Sequence, residues 1–199
     1  MAIRAVFFDL GGVIVRTEYQ APRERLAERL NMTYEDLDDI VFNGESSRQA
    51  SIGAISTDEH WAAIARRLGR QPSEANAIRE EFFAGDLVDR DLVDFIRSLR
   101  PRYKTGVISN AWPDLRDFIV ESKFDDAFDA LVISAEVGVV KPEAKIYRLA
   151  LKQLEVTARE AVFVDDAPAN IEAARTLGMQ GIRFRSPEQA LEELKEILK

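Results

Sequence analysis

Five short apolar stretches punctuate the chain: Ile3–Phe8, Thr105–Ser109, Leu131–Ser134, Ala161–Val164 and Gly181–Phe184. They are rich in β-branched and aromatic residues and show little polar alternation. That is the pattern of strands buried on both faces of a parallel sheet. Between them the period lengthens to that of helices. Asp91–Leu99 carries Leu92, Val93, Phe95, Ile96 and Leu99, while Pro113–Ser122 and Pro142–Leu154 open on a first-turn proline. Ala169–Leu177 stops at Gly178, and Pro187–Leu198 follows the last strand. Strands alternating with helices predict right-handed βαβ units. The expected class is α/β, with a doubly wound, Rossmann-like parallel sheet.

The first strand breaks this rhythm. Roughly 90 residues separate it from the next one, and they read as wholly helical. Arg23–Leu30, Tyr34–Phe42, Thr57–Leu68 and Ser73–Phe83 are amphipathic, and Ser56 or Thr57 offers a cap to the third of these. Residues 16–84 therefore read as a small helical cap inserted over the carboxyl end of the first strand. Residues 1–15 and 85–199 read as the core.

Composition narrows the chemistry. The net charge of −8 disfavours non-specific nucleic-acid binding, and the absence of cysteine excludes disulfides, thiolate metal sites and cysteine nucleophiles. The first residues show no small-residue cleavage site. No stretch approaches the roughly 18 apolar residues of a membrane span. The expectation is a cytoplasmic protein without a membrane partner. Nothing in the sequence speaks to oligomeric state.

Four places carry candidate chemistry, each at or just after the carboxyl end of a predicted strand. In "FFDLGGVIV", Asp9 can attack phosphorus or hold a metal, and Gly11 and Gly12 bring backbone close to a ligand. In "VISNAWP", Ser109 and Asn110 offer a hydroxyl and an amide to phosphate oxygens. In "GVVKPEAKIY", Lys141 sits where a predicted helix begins, an unfavourable place for a cation unless an anion lies between them. In "VFVDDAPANI", Asp165 and Asp166 repel each other unless a cation is near, and such hard oxygens suit Mg²⁺; Asn170 lies further on. A doubly wound sheet brings those strand ends to one edge. The set then matches the needs of phosphoryl transfer: positioning, charge neutralisation and a metal.

These four motifs, in this order, resemble the haloacid dehalogenase superfamily over essentially the whole chain. "DLGGV", "GVVKPEAKIY" and "VDDAPANI" are most similar to sugar-phosphate phosphatases of the α-D-glucose-1-phosphate phosphatase type. They also resemble the amino-terminal phosphatase domain of bifunctional epoxide hydrolases. The resemblance implies a Mg²⁺-dependent phosphatase of a small phosphorylated metabolite, a sugar phosphate by preference, acting through an aspartyl-phosphate. Asp9 would be nucleophile and metal ligand, with the Gly11 carbonyl and Asp166 as further ligands. Asp165 would be a ligand or an acceptor behind them. Ser109 and Asn110 would hold the phosphoryl oxygens, and Lys141 would neutralise both those oxygens and Asp9.

Gly11 departs from the pattern, since most phosphatases of the superfamily carry an aspartate there that protonates the leaving oxygen. Its loss implies one of three outcomes. The substrate has a good leaving group; or a cap residue (Glu18, Glu45 or the single histidine, His60) replaces the acid; or the site binds without turnover. His60 itself reads as a cap-helix surface residue. The alternatives to a phosphatase are a 2-haloacid dehalogenase, against which the acid pair argues, and a catalytically weak phosphate-ligand-binding protein. Arg16, Arg48 and Gln49 are the cap's polar candidates for substrate contact.

Overall fold

The computed structural model describes residues 2–199. Strand β1 (Ala5–Phe8) leads into Asp9, and the chain then forms β2 (Val15–Thr17). Five helices follow: α1 (Ala21–Arg29), α2 (Tyr34–Phe42), α3 (Glu45–Ser51), α4 (Thr57–Arg67) and α5 (Ala75–Phe83). The chain returns through β3 (Asp86–Val88) and α6 (Arg90–Leu99) to β4 (Lys104–Ser109). Then come α7 (Leu115–Glu121), β5 (Ala130–Ile133), the short α8 (Ser134–Val137), α9 (Ala144–Gln153) and β6 (Ala161–Asp165). Helix α10 (Pro168–Thr176), β7 (Gln180–Arg183) and α11 (Pro187–Ile197) complete the order.

The main sheet has the order β5-β4-β1-β6-β7, and every neighbouring pair is parallel. Successive side chains of β1 serve opposite faces. Phe8 joins Val107, Val164, Leu92, Ile96 and Leu194 under α6, α7 and α11. Phe7 joins Ile108, Phe163, Ile146, Tyr147 and Ile171 under α9 and α10. Both rings are fully buried. A sheet covered on both faces explains why its strands read as continuous apolar runs. Strand order reverses at β1, which has β4 on one side and β6 on the other. Phe8 pairs in register with Val107 and Val164, so Asp9, Ser109 and Asp165 come to the same sheet edge. That edge is the switch point where α/β sheets bind ligands.

The inserted region is not wholly helical. Its two crossings pair as an antiparallel ribbon, with Val15 opposite Val88, Arg16 opposite Leu87 and Thr17 opposite Asp86. Three residues per strand are too few for a period to register. Helix α3 is the other unforeseen element, because its sequence ESSRQAS carries almost no apolar signal. The remaining helices bury Leu26, Leu37, Val41, Trp61, Ile64, Ile78 and Phe82 in a core of their own. Ser56 and Glu59 start α4 with a reciprocal capping box, satisfying two otherwise orphaned backbone donors.

One buried arginine fastens this bundle. Arg23 pairs with Asp38 and Asp86, donates to the Phe82 carbonyl, and lies 4.0 Å from the Phe82 ring centroid. The β4–α7 loop reaches the bundle from the other side. Trp112 stacks on Phe42 with centroids 6.0 Å apart, and Asp114 accepts from Thr57 and pairs with Arg79. Among the described residues no helix is long and apolar enough to cross a membrane.

Candidate active site

Asp9 sits one residue past β1, and its backbone N–H donates to Val164 O on the neighbouring strand at 2.8 Å. Its side chain is nearly buried. One carboxylate oxygen, Oδ1, accepts from the Leu10 N–H at 2.7 Å, and the other lies 2.8 Å from Lys141 Nζ. The same ammonium lies 2.7 Å from Asp165 Oδ2. Lys141 is thus a buried cation bridging two carboxylates.

Asp165 is fully buried and both its oxygens are hydrogen-bonded. Its Oδ1 accepts from the Ala167 N–H and from Asn170 Nδ2, and its Oδ2 accepts from Asn170 Nδ2 and Lys141. Asn170 is held in turn through its carbonyl, which accepts from the Tyr147 hydroxyl at 3.0 Å. Asp165 therefore fixes Lys141, and each of its oxygens accepts two hydrogen bonds. Asp166 is exposed and faces the cleft with Asp9. Gly12, at φ +76°, makes room for it: a Cβ there would lie 2.5 Å from Asp166 Oδ2.

Asp9, Asp165 and Asp166 each present an oxygen, and the three lie within 4.8 Å of one another. Three carboxylates against one ammonium leave an excess of two negative charges. The titration behaviour reflects it. Burial, with Asp165's charge added, pushes Asp9 up to about 6 despite the opposing pull of Lys141. Burial and then Asp165 also raise Asp166. A hard divalent cation suits this donor set, because it supplies the missing charge without needing nitrogen or sulfur. Asp9, Asp165 and Asp166 are the side chains that could hold it.

Ser109 is buried at the end of β4 and lines the same cleft as Asp9. Asn110 also lines that cleft, and its side chain has a second task. Its amide spends both ends on the Lys141 backbone, donating to the carbonyl at 2.9 Å and accepting from the N–H at 2.6 Å. It shapes the loop that delivers the lysine. Lys141 departs from its predicted setting, since the helix behind it starts only at Ala144. Its charge is met by Asp9 and Asp165.

None of the three proposed replacement acids reaches the cleft. His60 is fully buried rather than on the surface. Its Nδ1 lies 2.9 Å from Ser46 Oγ and its ring 4.3 Å from that of Trp112, and burial pushes it down to about 4. The Trp112 loop, distant in sequence, covers it, and helix periodicity alone carries no sign of that. Glu18 pairs with Arg16 and Glu45 with Arg48. Gln49 bonds Glu45 and lies outside the cleft, whereas Arg16 and Arg48 line it. Sequence reasoning missed the holding roles of Asn110 and Asn170. An asparagine near a strand end signals a cap or a loop, not its partner.

Lys141→Met is expected to destabilise the protein by about 3–5 kcal/mol, because two buried carboxylates lose their shared partner. The double variant Lys141→Met/Asp165→Asn should recover much of that loss without regaining activity. Urea unfolding checks both, and a single variant as stable as the parent would refute the bridging role.

A family model described as haloacid dehalogenase-like hydrolase matches residues 3–178. Bifunctional epoxide hydrolase 2 of Rattus norvegicus is 27% identical over 217 residues, covering 99% of this chain and 39% of that protein. The chain thus spans about two fifths of that relative's length. D-ribitol-5-phosphate phosphatase of Bacteroides thetaiotaomicron is 26% identical and covers 98% of both chains. A solved structure from the same organism, of a haloacid dehalogenase family enzyme in complex with magnesium and inorganic phosphate, superposes with a TM-score of 0.76. It is 19% identical and covers 94% of this chain and 96% of its own.

Proposed function

The chain belongs to the haloacid dehalogenase-like hydrolases, and from that premise we propose that it is a magnesium-dependent phosphatase of a small phosphorylated metabolite. The observation that carries this reading is the bridged cluster of Asp9, Lys141 and Asp165, with Asp166 opposite, at the switch point of the sheet. The phosphatases among its relatives support the same reading.

Asp9 is the nucleophile. One of its carboxylate oxygens attacks phosphorus, and the bond to the alcohol oxygen breaks with its electron pair. An aspartyl-phosphate and an alkoxide result. The alkoxide takes its proton from water, since Gly11 offers no acid. Water then attacks the aspartyl-phosphate and regenerates the Asp9 carboxylate with release of inorganic phosphate. Lys141 neutralises the phosphoryl oxygens while Asp165 and Asn110 keep it in place. The Ser109 hydroxyl donates to one phosphoryl oxygen. Asp9, Asp166 and the Gly11 carbonyl, with Asp165 beside or behind them, would hold Mg²⁺, which would supply charge neutralisation. The dehalogenase alternative uses no metal, so nothing in it would offset the acidic excess beside Asp9 as its substrate's carboxylate enters.

The test is phosphate release from a panel of esters in which sugar phosphates come first, as the motif likeness implies. Release should require Mg²⁺, stop with a chelator and return when the ion is restored. Activity indifferent to chelation would overturn the metal assignment. Binding of inorganic phosphate without release from any ester would favour the silent binding protein.

A further inference from the structure

The cleft above Asp9 has a volume of about 1550 Å³, far more than a phosphate needs, so its lining describes the rest of the substrate. Phe42, Phe83, Trp112, Phe118, Leu115 and Ile52 supply much of that lining. Phe42, Ile52 and Phe118 are also among the few large apolar side chains that the molecule leaves exposed, at 40%, 45% and 38%. Exposed apolar groups gathered in one concavity mark a surface that something apolar covers. The aromatic part of the wall is firm, since Phe42 stacks on Trp112 and meets Phe83 edge-on.

The charged residues of the cleft add a second restriction. Arg16 is taken by Glu18 and Asp89, Arg23 by Asp38 and Asp86, Arg48 by Glu45 and Arg79 by Asp114. The cleft residues without an ion pair among the described residues include the acids Asp58 and Glu80. No arginine there is left to receive a second phosphate or a carboxylate, and the free charges repel one. At the phosphate end, Gly11 supplies no proton to the leaving oxygen.

Resting on the phosphatase reading above, we propose that the preferred substrate is a phosphate monoester of an uncharged, apolar, ring-bearing alcohol whose oxygen leaves without protonation: an aryl phosphate. The ring packs against Phe42, Trp112, Phe118 and Ile52, and the single phosphate reaches Asp9 and Lys141.

A set of four esters separates ring character from leaving-group quality. 1-Naphthyl phosphate is apolar with a good leaving group, and cyclohexylmethyl phosphate is apolar with a poor one. Glucose 1-phosphate and glucose 6-phosphate are the polar counterparts. With Mg²⁺ present, kcat/KM should be higher by about 100-fold, the scale of burying an apolar ring, both for naphthyl phosphate over glucose 1-phosphate and for cyclohexylmethyl phosphate over glucose 6-phosphate. Ile52→Ser/Phe118→Ser should cut both ratios at least fivefold, mostly through KM. Both positions are partly exposed, so thermal melting can establish that the variant is folded. Glucose 1-phosphate equal to or better than naphthyl phosphate, or an unchanged ratio in the folded double variant, overturns the aryl assignment and leaves the phosphatase intact. Phosphate release from none of the four instead overturns the phosphatase reading, and release that survives Asp9→Asn overturns Asp9 as its nucleophile.

Discussion

Asp9→Asn is expected to reduce phosphate release to background, a loss on the order of 10⁴-fold or more, while making the metal-free protein more stable at pH 8. The two effects share one cause. The Asp9 carboxylate is buried beside another carboxylate, and Lys141 compensates only part of that charge. Its folded-state value of about 6 stands above the ordinary 3.8. A carboxyl raised in this way favours folding fully below its unfolded value, and that contribution is lost as pH rises through the folded one. Asparagine does not titrate. The stability gap between variant and parent should therefore be near zero at pH 4, grow towards pH 6 and hold steady above it. At pH 8 the gain should appear as a few degrees in Tm for a chain of this size. Added Mg²⁺ should raise the parent's Tm more than the variant's. A variant that keeps turning over substrate excludes Asp9 as nucleophile. One less stable than the metal-free parent at pH 8 shows instead that the Asp9–Lys141 pair is worth more than the burial it requires.

The sheet was readable because both of its faces are covered. Phe7 and Phe8 enter opposite cores, so β1 appears in the sequence as an unbroken apolar run, and β4 and β6 do the same. Strand ends followed from those runs, and they placed Asp9, Ser109 and the Asp165–Asp166 pair on one edge. The ribbon of β2 and β3 stayed hidden. Its six residues are partly exposed, and their partners lie some 70 positions apart. The site was legible as a set of residue types and illegible as a division of labour. Adjacent acids look equivalent in sequence. In the structure, Asn170, Ala167 and Lys141 hydrogen-bond both oxygens of Asp165, while Gly12 gives Asp166 its opening onto the cleft. Asn110 shows the same thing: its amide holds the backbone of Lys141, a partner 31 positions away that the sequence does not reveal.

Gly11→Asp should raise kcat for esters of basic alcohols by about 10²-fold or more, the usual worth of a placed general acid. The geometry admits the change. A Cβ at Gly11 meets nothing within 4 Å, the residue lies outside the left-handed region, and it lines the cleft. The new carboxyl would protonate the departing alkoxide and then accept a proton from the water attacking the aspartyl-phosphate. The first role matters only when the leaving oxygen is basic. Cyclohexylmethyl phosphate and glucose 6-phosphate should gain most, and naphthyl phosphate least. The plot of log kcat against leaving-group pKa should flatten, with single-turnover measurements separating the transfer step from the hydrolysis step. A fourth acid near the cluster opposes this by deepening the negative excess. That cost should fall on the metal-free protein, as a lower Tm and a larger response to Mg²⁺, because a bound divalent ion offsets it. An interaction between carboxylates at the cleft surface is worth a few kcal/mol at most. The metal can absorb that, and Gly11 has no side chain to supply the missing proton. Equal rate changes for all leaving groups would show that the absent side chain is not what limits this enzyme, and that protonation is already met by solvent.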